Sequence, residues 1–199
     1  AKTVTPMTRY KIFNYGLFQI GWLACVWGAA AGYPWLSLVA FLPTLLLHLG
    51  WAREPLKELK LLAICGVSGI TFDGILLASG WVAFPNGEWI PGLAPYWMMI
   101  LWLSLGTTLN LSMSWMKNKP VAALALGAIG GPLAYLAGER LGGIVILNTT
   151  AVMAALAIGW GLVMPFLAAC ARRLNGFESR ELPDYIMDGK SPNGVIQHR

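Results

Sequence analysis

The chain has 199 residues, of which 57% are hydrophobic and only 12% charged, and its formal net charge is +5. A soluble domain is about a quarter charged. The apolar residues here come in runs of about twenty, the length that crosses a bilayer core, which excludes a soluble globular class. The positive charge forms no basic face, so it argues for membrane topology and against nucleic acid.

The first run, 12–31, follows Lys2, Arg9 and Lys11 and ends in Ala29-Ala30-Ala31, which resembles a signal-peptide cleavage site. It is long for a signal sequence and carries Asn14 and Gln19, so it reads as the first membrane helix. Gly28 and Gly32 at its end have GxxxG spacing. After Tyr33-Pro34 the second run, 35–52, carries His48, the one histidine expected within the membrane. REPLKELK at 53–60 leads into the third run, 60–82, which contains Asp73. FPNGEWIPGLAP at 84–95 precedes the fourth, 95–116, with Asn110. KNKP at 117–120 precedes the fifth, 121–138, where Gly127 and Gly131 have GxxxG spacing and Pro132 removes a backbone hydrogen bond. GERLGG at 138–143 separates it from the sixth, 144–171. A polar tail, 174–199, follows. The expected fold is all-α, a polytopic bundle of six transmembrane helices in one domain.

Six spans place thirteen of the fourteen Lys and Arg residues on one side and only Arg140 on the other. Cytoplasmic loops carry the excess of positive charge, so both termini and the tail are expected in the cytoplasm. Trp35, Trp81, Trp89 and Trp97 then fall near the outer interface, and Trp51 and Trp115 near the inner one, where amphipathic rings prefer to sit. Trp22, Trp27, Trp102 and Trp160 lie deeper and read as packing residues.

Asp73 is a lone carboxylate in an apolar run. Residues three, four and seven apart share a helix face, so Asp73 shares its face with Gly66, Gly69 and Gly80. Small residues mark close helix contact in lipid, and Asp73 is expected to point into the bundle. An intramembrane acid is a functional candidate and equally a structural anchor. It lies about 20 Å above Lys60 at about 1.5 Å per residue, near the height of Tyr135, Arg140 and Asn148. Arg140 is the only cation on that side, so an Asp73–Arg140 pair, direct or through water or Tyr135, is expected to neutralise the charge. Asp73, Tyr135, Arg140 and Asn148 form the candidate polar centre. A second polar set, Asn14, Gln19, His48 and Asn110, lies in the inner half. The two sets line one polar path or act as separate helix–helix adhesives.

Little else carries chemistry. Cys25, Cys65 and Cys170 belong to no CxxC pair and read as packing residues. There is no HExxH, GxSxG or Walker motif, and one intramembrane histidine supports neither a His-box nor a bis-histidine haem. No metal and no cofactor is expected.

NYGLFQIGWLACVWGAAAG at 14–32, the aspartate of TFDG at 71–74, FPNGEWIPGLAPYW at 84–97, TTLNLSM at 107–113 and GAIGGPLAYLAG at 127–138 together resemble domain-of-unknown-function family 2878. The tail beyond about residue 175 lies outside the resemblance. The resemblance implies a bacterial inner membrane. Members are often encoded near fatty-acid-modifying genes, which implies a lipid-related role but no specific activity and no functional residues to carry over. The leading expectation is a protein without redox or metal chemistry that binds or moves a small amphipathic or lipidic molecule, with membrane lipid as its partner. The alternatives are an accessory subunit bound to other membrane protein subunits, and, less favoured, an intramembrane lipid-modifying enzyme.

Overall fold

The computed structural model describes residues 6–178, so most of the expected tail lies outside the described residues. The described chain forms six α-helices: α1 (Pro6–Ala30), α2 (Leu36–Trp51), α3 (Pro55–Ala78), α4 (Tyr96–Leu109), α5 (Pro120–Arg140) and α6 (Thr149–Arg173). Two short strands, β1 (Val82–Ala83) and β2 (Val145–Ile146), pair antiparallel, with Val82 opposite Ile146 and Ala83 opposite Val145. Helices α3, α5 and α6 are long and apolar enough to cross a membrane; α2 and α4 are apolar but shorter.

The element boundaries follow local chemistry. Both α3 and α5 open on a proline, whose fixed φ suits the first helical turn and whose missing N–H is not needed there. The sixth run, expected to be helical from 144, begins at Thr149. Its first residues form β2 instead, and Asn148 caps the helix by accepting the Ala151 N–H at 3.1 Å. The fourth run, expected to continue to 116, is helical only to Leu109. There the Thr107 and Thr108 hydroxyls bond the carbonyls of Ser104 and Leu105, competing with the backbone ladder. The chain then continues through turns and a single 3-10 turn, Ser114–Met116.

Helix α5 packs chiefly against α6, α3 against α4, and α1 against α2 and α4; α6 joins the α5–α6 hairpin to α3. Helices α1 and α5 barely meet. An added Cβ at Gly127 would collide with the main chain of Trp160, and one at Gly131 with its indole. The GxxxG of the fifth run is therefore what seats α5 on α6, and α5 runs unbroken through Pro132. Gly28 and Gly32 shape the α1–α2 turn rather than a helix pair. A Cβ at Gly28 would lie 2.9 Å from the Tyr33 carbonyl oxygen, and Gly32 has φ +80°.

One part of the core gathers Cys25, Val26, Phe41, Leu76, Trp97 and Leu156. The other part gathers Leu61, Cys65, Leu105, Leu109 and Leu167. Large apolar side chains also cover the outside, among them Ile12, Leu46, Val121 and Leu162.

Candidate functional site

Asp73 is fully buried on α3. The small residues on its face let α4 come close: a Cβ at Gly66 would lie 3.0 Å from Leu103, and one at Gly69 would collide with the Trp102 indole. That approach brings Trp102 Nε1–H to Asp73 Oδ2, 2.9 Å away. From α5, the Tyr135 hydroxyl donates to the other oxygen, Oδ1. Trp102 in turn stacks on Trp160 of α6, with ring centroids 4.4 Å apart and planes 19° from parallel. Four helices are thus joined through one carboxylate, one phenol and two indoles. The Trp160 Nε1 is buried and has no acceptor among the described residues.

The predicted polar centre is only partly assembled. Tyr135 meets Asp73, but Arg140 is exposed and makes no pair with it. Five residues beyond Tyr135 is about 140° round the helix at 3.6 residues per turn, so Arg140 leaves the Tyr135 face. Asn148 is exposed and occupied as the α6 cap. Trp102 stands in their place. A sequence signal for it existed: Gly69, four residues before Asp73, marks a face that something large must cover, and an indole brings a donor with it.

Beside this cluster lies a cavity of about 340 Å³ bounded by α1, α4, α5 and α6. Phe18, Trp22, Met98, Gly130, Tyr135 and Trp160 contribute to its wall, and among the described residues Gln19 is its one side-chain amide and none that lines it is charged. Asp73 lies behind Trp102 and Tyr135 and is not itself in the wall. At one end the Gly142–Gly143 turn closes against α1: a Cβ at Gly143 would lie 3.0 Å from the Val26 carbonyl oxygen. Below that closure, α1 and α5 face each other across the cavity.

The second polar set divides into three. Asn14 ties α1 to α4, donating to the Thr107 carbonyl at 3.2 Å and accepting from the Ser112 hydroxyl at 2.7 Å. Gln19 belongs to the cavity wall. His48 and Asn110 converge on Glu58, which lies in REPLKELK between the second and third runs. Glu58 Oε2 lies 2.9 Å from His48 Nε2, and Oε1 accepts from Asn110 Nδ2 at 2.8 Å and from the Gly176 N–H at 2.6 Å. Lys117 Nζ donates to Asn110 Oδ1 at 3.0 Å. Burial pushes the Lys117 ammonium below its ordinary pKa, and the nearby Glu178 and Glu58 partly oppose this. Among the described residues no hydrogen bond links the Glu58 network to Asp73, and no three His, Cys, Asp or Glu side chains gather as a metal site would need.

A family model described as protein of unknown function (DUF2878) matches residues 11–166. The match takes in Asn14, Glu58, Asp73, Trp102, Tyr135 and Trp160 and ends before Gly176. No curated protein and no solved structure matches the chain. With more than three quarters of its length inside that match, the chain belongs to the DUF2878 family.

Proposed function

We propose that the protein is a six-span protein of the bacterial inner membrane, with both termini cytoplasmic, that binds or moves one lipidic molecule in the cavity beside Asp73. The cavity carries this reading. Its volume of about 340 Å³ sits at the low end of ligand sites, which span about 300–1,000 Å³, and suits one chain rather than a two-chain phospholipid. Its wall is apolar and aromatic, and its α1 and α5 sides adjoin exposed apolar surface at Ile20, Leu23, Ile129 and Leu133. A hydrocarbon chain can enter sideways from the bilayer between those helices. Asp73 serves the site by drawing Trp102 and Tyr135, and with them α4 and α5, onto α3. The three long apolar helices support the membrane, and the charge distribution supports the orientation.

Native mass spectrometry of protein extracted gently from membranes tests the proposal. Gly130 lies in the wall, and a Cβ there meets nothing within 4 Å, so Gly130→Leu adds bulk at the wall from a position where the first added atom has room. The wild type should carry a single-chain lipid that Gly130→Leu lacks, with both melting alike. Equal lipid content in the two proteins would remove the cavity from consideration. A protein partner at fixed stoichiometry in the same spectra would favour the accessory-subunit reading.

A further inference from the structure

We infer that the lipid in this cavity is a single-chain anion, a carboxylate or a phosphate monoester, lying with its methyl end at the Gly142–Gly143 closure and its head between Lys11 and Lys119. This rests on the binding reading above and names the class and the direction of the ligand.

Direction is argued from the two ends of the cavity. At one end Val26 and Ile144 line the wall, and the turn that follows α5 is pressed onto α1. An added Cβ at Gly142 would lie 3.5 Å from the Ala30 Cβ, and one at Gly143 would lie 3.0 Å from the Val26 carbonyl oxygen. That end is tight and apolar, and suits a methyl group. Because the last residues of α1 and α5 converge there, the two helices run in the same direction and their first residues share the opposite end. Toward that end α1 and α5 hardly touch, so a chain can run on between them past Phe18 and Leu126. From Val26 to Lys11 is fifteen residues, about 22 Å along the axis, the reach of one long acyl chain.

Charge is argued from what stands at that opposite end. Lys11 lies seven residues before Phe18 and eleven before Trp22, both in the wall, and such spacings share one helix face. Lys119 is the N-cap residue of α5, seven residues before Leu126 and eleven before Gly130. Lys11 is also near enough to Lys117 for its charge to disfavour the Lys117 ammonium, which sets the start of α1 against the link that leads into α5. Arg172 of α6 donates to the Lys117 carbonyl at 2.7 Å. Membrane orientation accounts for the side of the bilayer these cations occupy; it does not account for their meeting at one end of the cavity. Two acids lie nearby. Glu58 is engaged by His48, Asn110 and Gly176, and Glu178 lies 3.8 Å from Lys117. Among the described residues neither Lys11 nor Lys119 is paired with an acid. An anionic head supplies the missing partner, and an ammonium head would be repelled.

Four probes of one chain length test this on the purified full chain in a nonionic detergent: hexadecanoate, hexadecyl phosphate, hexadecanol and hexadecylamine. Each competes against radiolabelled hexadecanoate in a scintillation proximity assay at about pH 8.5, where a carboxylic acid is ionised. The wild type should bind both anions more tightly than the alcohol and the amine least, and added salt should narrow that preference. The tighter of the two anions identifies the head. Lys11→Gln and Lys119→Gln should each weaken the anions roughly two- to fivefold, the worth of an exposed ion pair, and leave hexadecanol unchanged, which also reports an intact cavity. Lys60→Gln removes the same charge from α3, which does not border the cavity, and should change nothing. An equal loss in Lys60→Gln, or tighter binding of the alcohol or the amine than of both anions, overturns the inference. A hexadecanoate with a photoreactive diazirine near its methyl end reads the direction: it should label residues 22–26 and 142–146, and labelling of 111–119 in their place overturns it. Failure of the wild type to bind any of the four probes sinks the binding reading itself. Hexadecanol binding that Gly130→Leu abolishes keeps that reading alive even where the head-group class fails.

Discussion

Glu58 on α3 accepts a hydrogen bond from the backbone N–H of Gly176, 118 residues further along the chain, at 2.6 Å. The same carboxylate holds His48 at the end of α2 and Asn110 beyond α4. The Gly176 carbonyl is held as well, by the N–H groups of Arg53 and Glu54. One acid therefore pins three helix ends and the segment after α6. Truncation to Ala strands several buried donors at once, and each buried donor left unpaired costs about 1–3 kcal/mol. Glu58→Ala should lower stability by about 3 kcal/mol or more, whereas Glu58→Gln, which keeps one acceptor oxygen, should lose less than half as much. Denaturant unfolding in detergent reads both. An alanine variant as stable as the wild type would show that the network contributes nothing to the fold.

The Tyr135–Asp73 bond makes a second prediction. Hydrogen bonds to charged groups contribute about 1.5–3 kcal/mol, and residues in contact show coupling energies of about 0.5–3 kcal/mol. A double-mutant cycle of Asp73→Asn with Tyr135→Phe should return a coupling of about 1–3 kcal/mol in unfolding free energy. The cycle of Asp73→Asn with Arg140→Ala should be additive within about 0.5 kcal/mol, because the guanidinium is exposed and away from the carboxylate. Coupling to Arg140 and none to Tyr135 would reverse the assignment.

Glycines of the same composition should behave oppositely. Gly127 abuts the Trp160 main chain, which cannot swing aside, and Gly69 abuts the indole that bonds Asp73. Overpacking typically costs about 1–3 kcal/mol, so Gly69→Ala and Gly127→Ala should each lower Tm. At Gly74 and Gly130 a Cβ meets nothing within 4 Å. There Ala replaces a residue that is poor in helix interiors, and a gain of up to about 1 kcal/mol is expected. Four melting curves in one detergent settle the matter; a uniform response would mean that α5 does not sit on Trp160 as described.

How much of this was legible in the sequence depends on the range of each interaction. Helix number and the inward face of Asp73 follow from runs and from 3.6-residue periodicity, which are local. The ends of α4 and α6 were misjudged because hydropathy continues past them, while Thr107, Thr108 and Asn148 stop or cap the helix through hydrogen bonds that hydropathy does not register. Arg140 looked right as a partner because height and charge were readable, but helical phase relative to a neighbour was not. Trp102 and Trp160 read as packing residues because an indole N–H matters only once a neighbouring helix supplies, or withholds, an acceptor. Glu58 hid in REPLKELK because its burial depends on residues 174–177 returning beneath α3, a contact no local pattern encodes.

Membrane topology gives the last prediction. Helices α2 and α4, with 16 and 14 residues, reach about 24 and 21 Å at 1.5 Å per residue, short of a hydrocarbon core of about 30 Å. Only α3 separates the loops at residues 53 and 88, so the two exchange sides if α2 fails to span. The turns from Asn110 to Lys117 extend the α4 layer inward, and the thirteen basic residues on one side argue that all six helices cross. Arg53 and Glu88 are both exposed, so each accepts a cysteine without disturbing the core. Cys25 and Cys65 are fully buried, and Cys170→Ala removes the third thiol from the labelling background. A membrane-impermeant maleimide added to intact cells with a permeabilised outer membrane should label Glu88→Cys and spare Arg53→Cys until the inner membrane is opened. The opposite result would mean that the orientation is inverted or that α2 does not cross, and labelling of both from outside would mean that α3 does not cross.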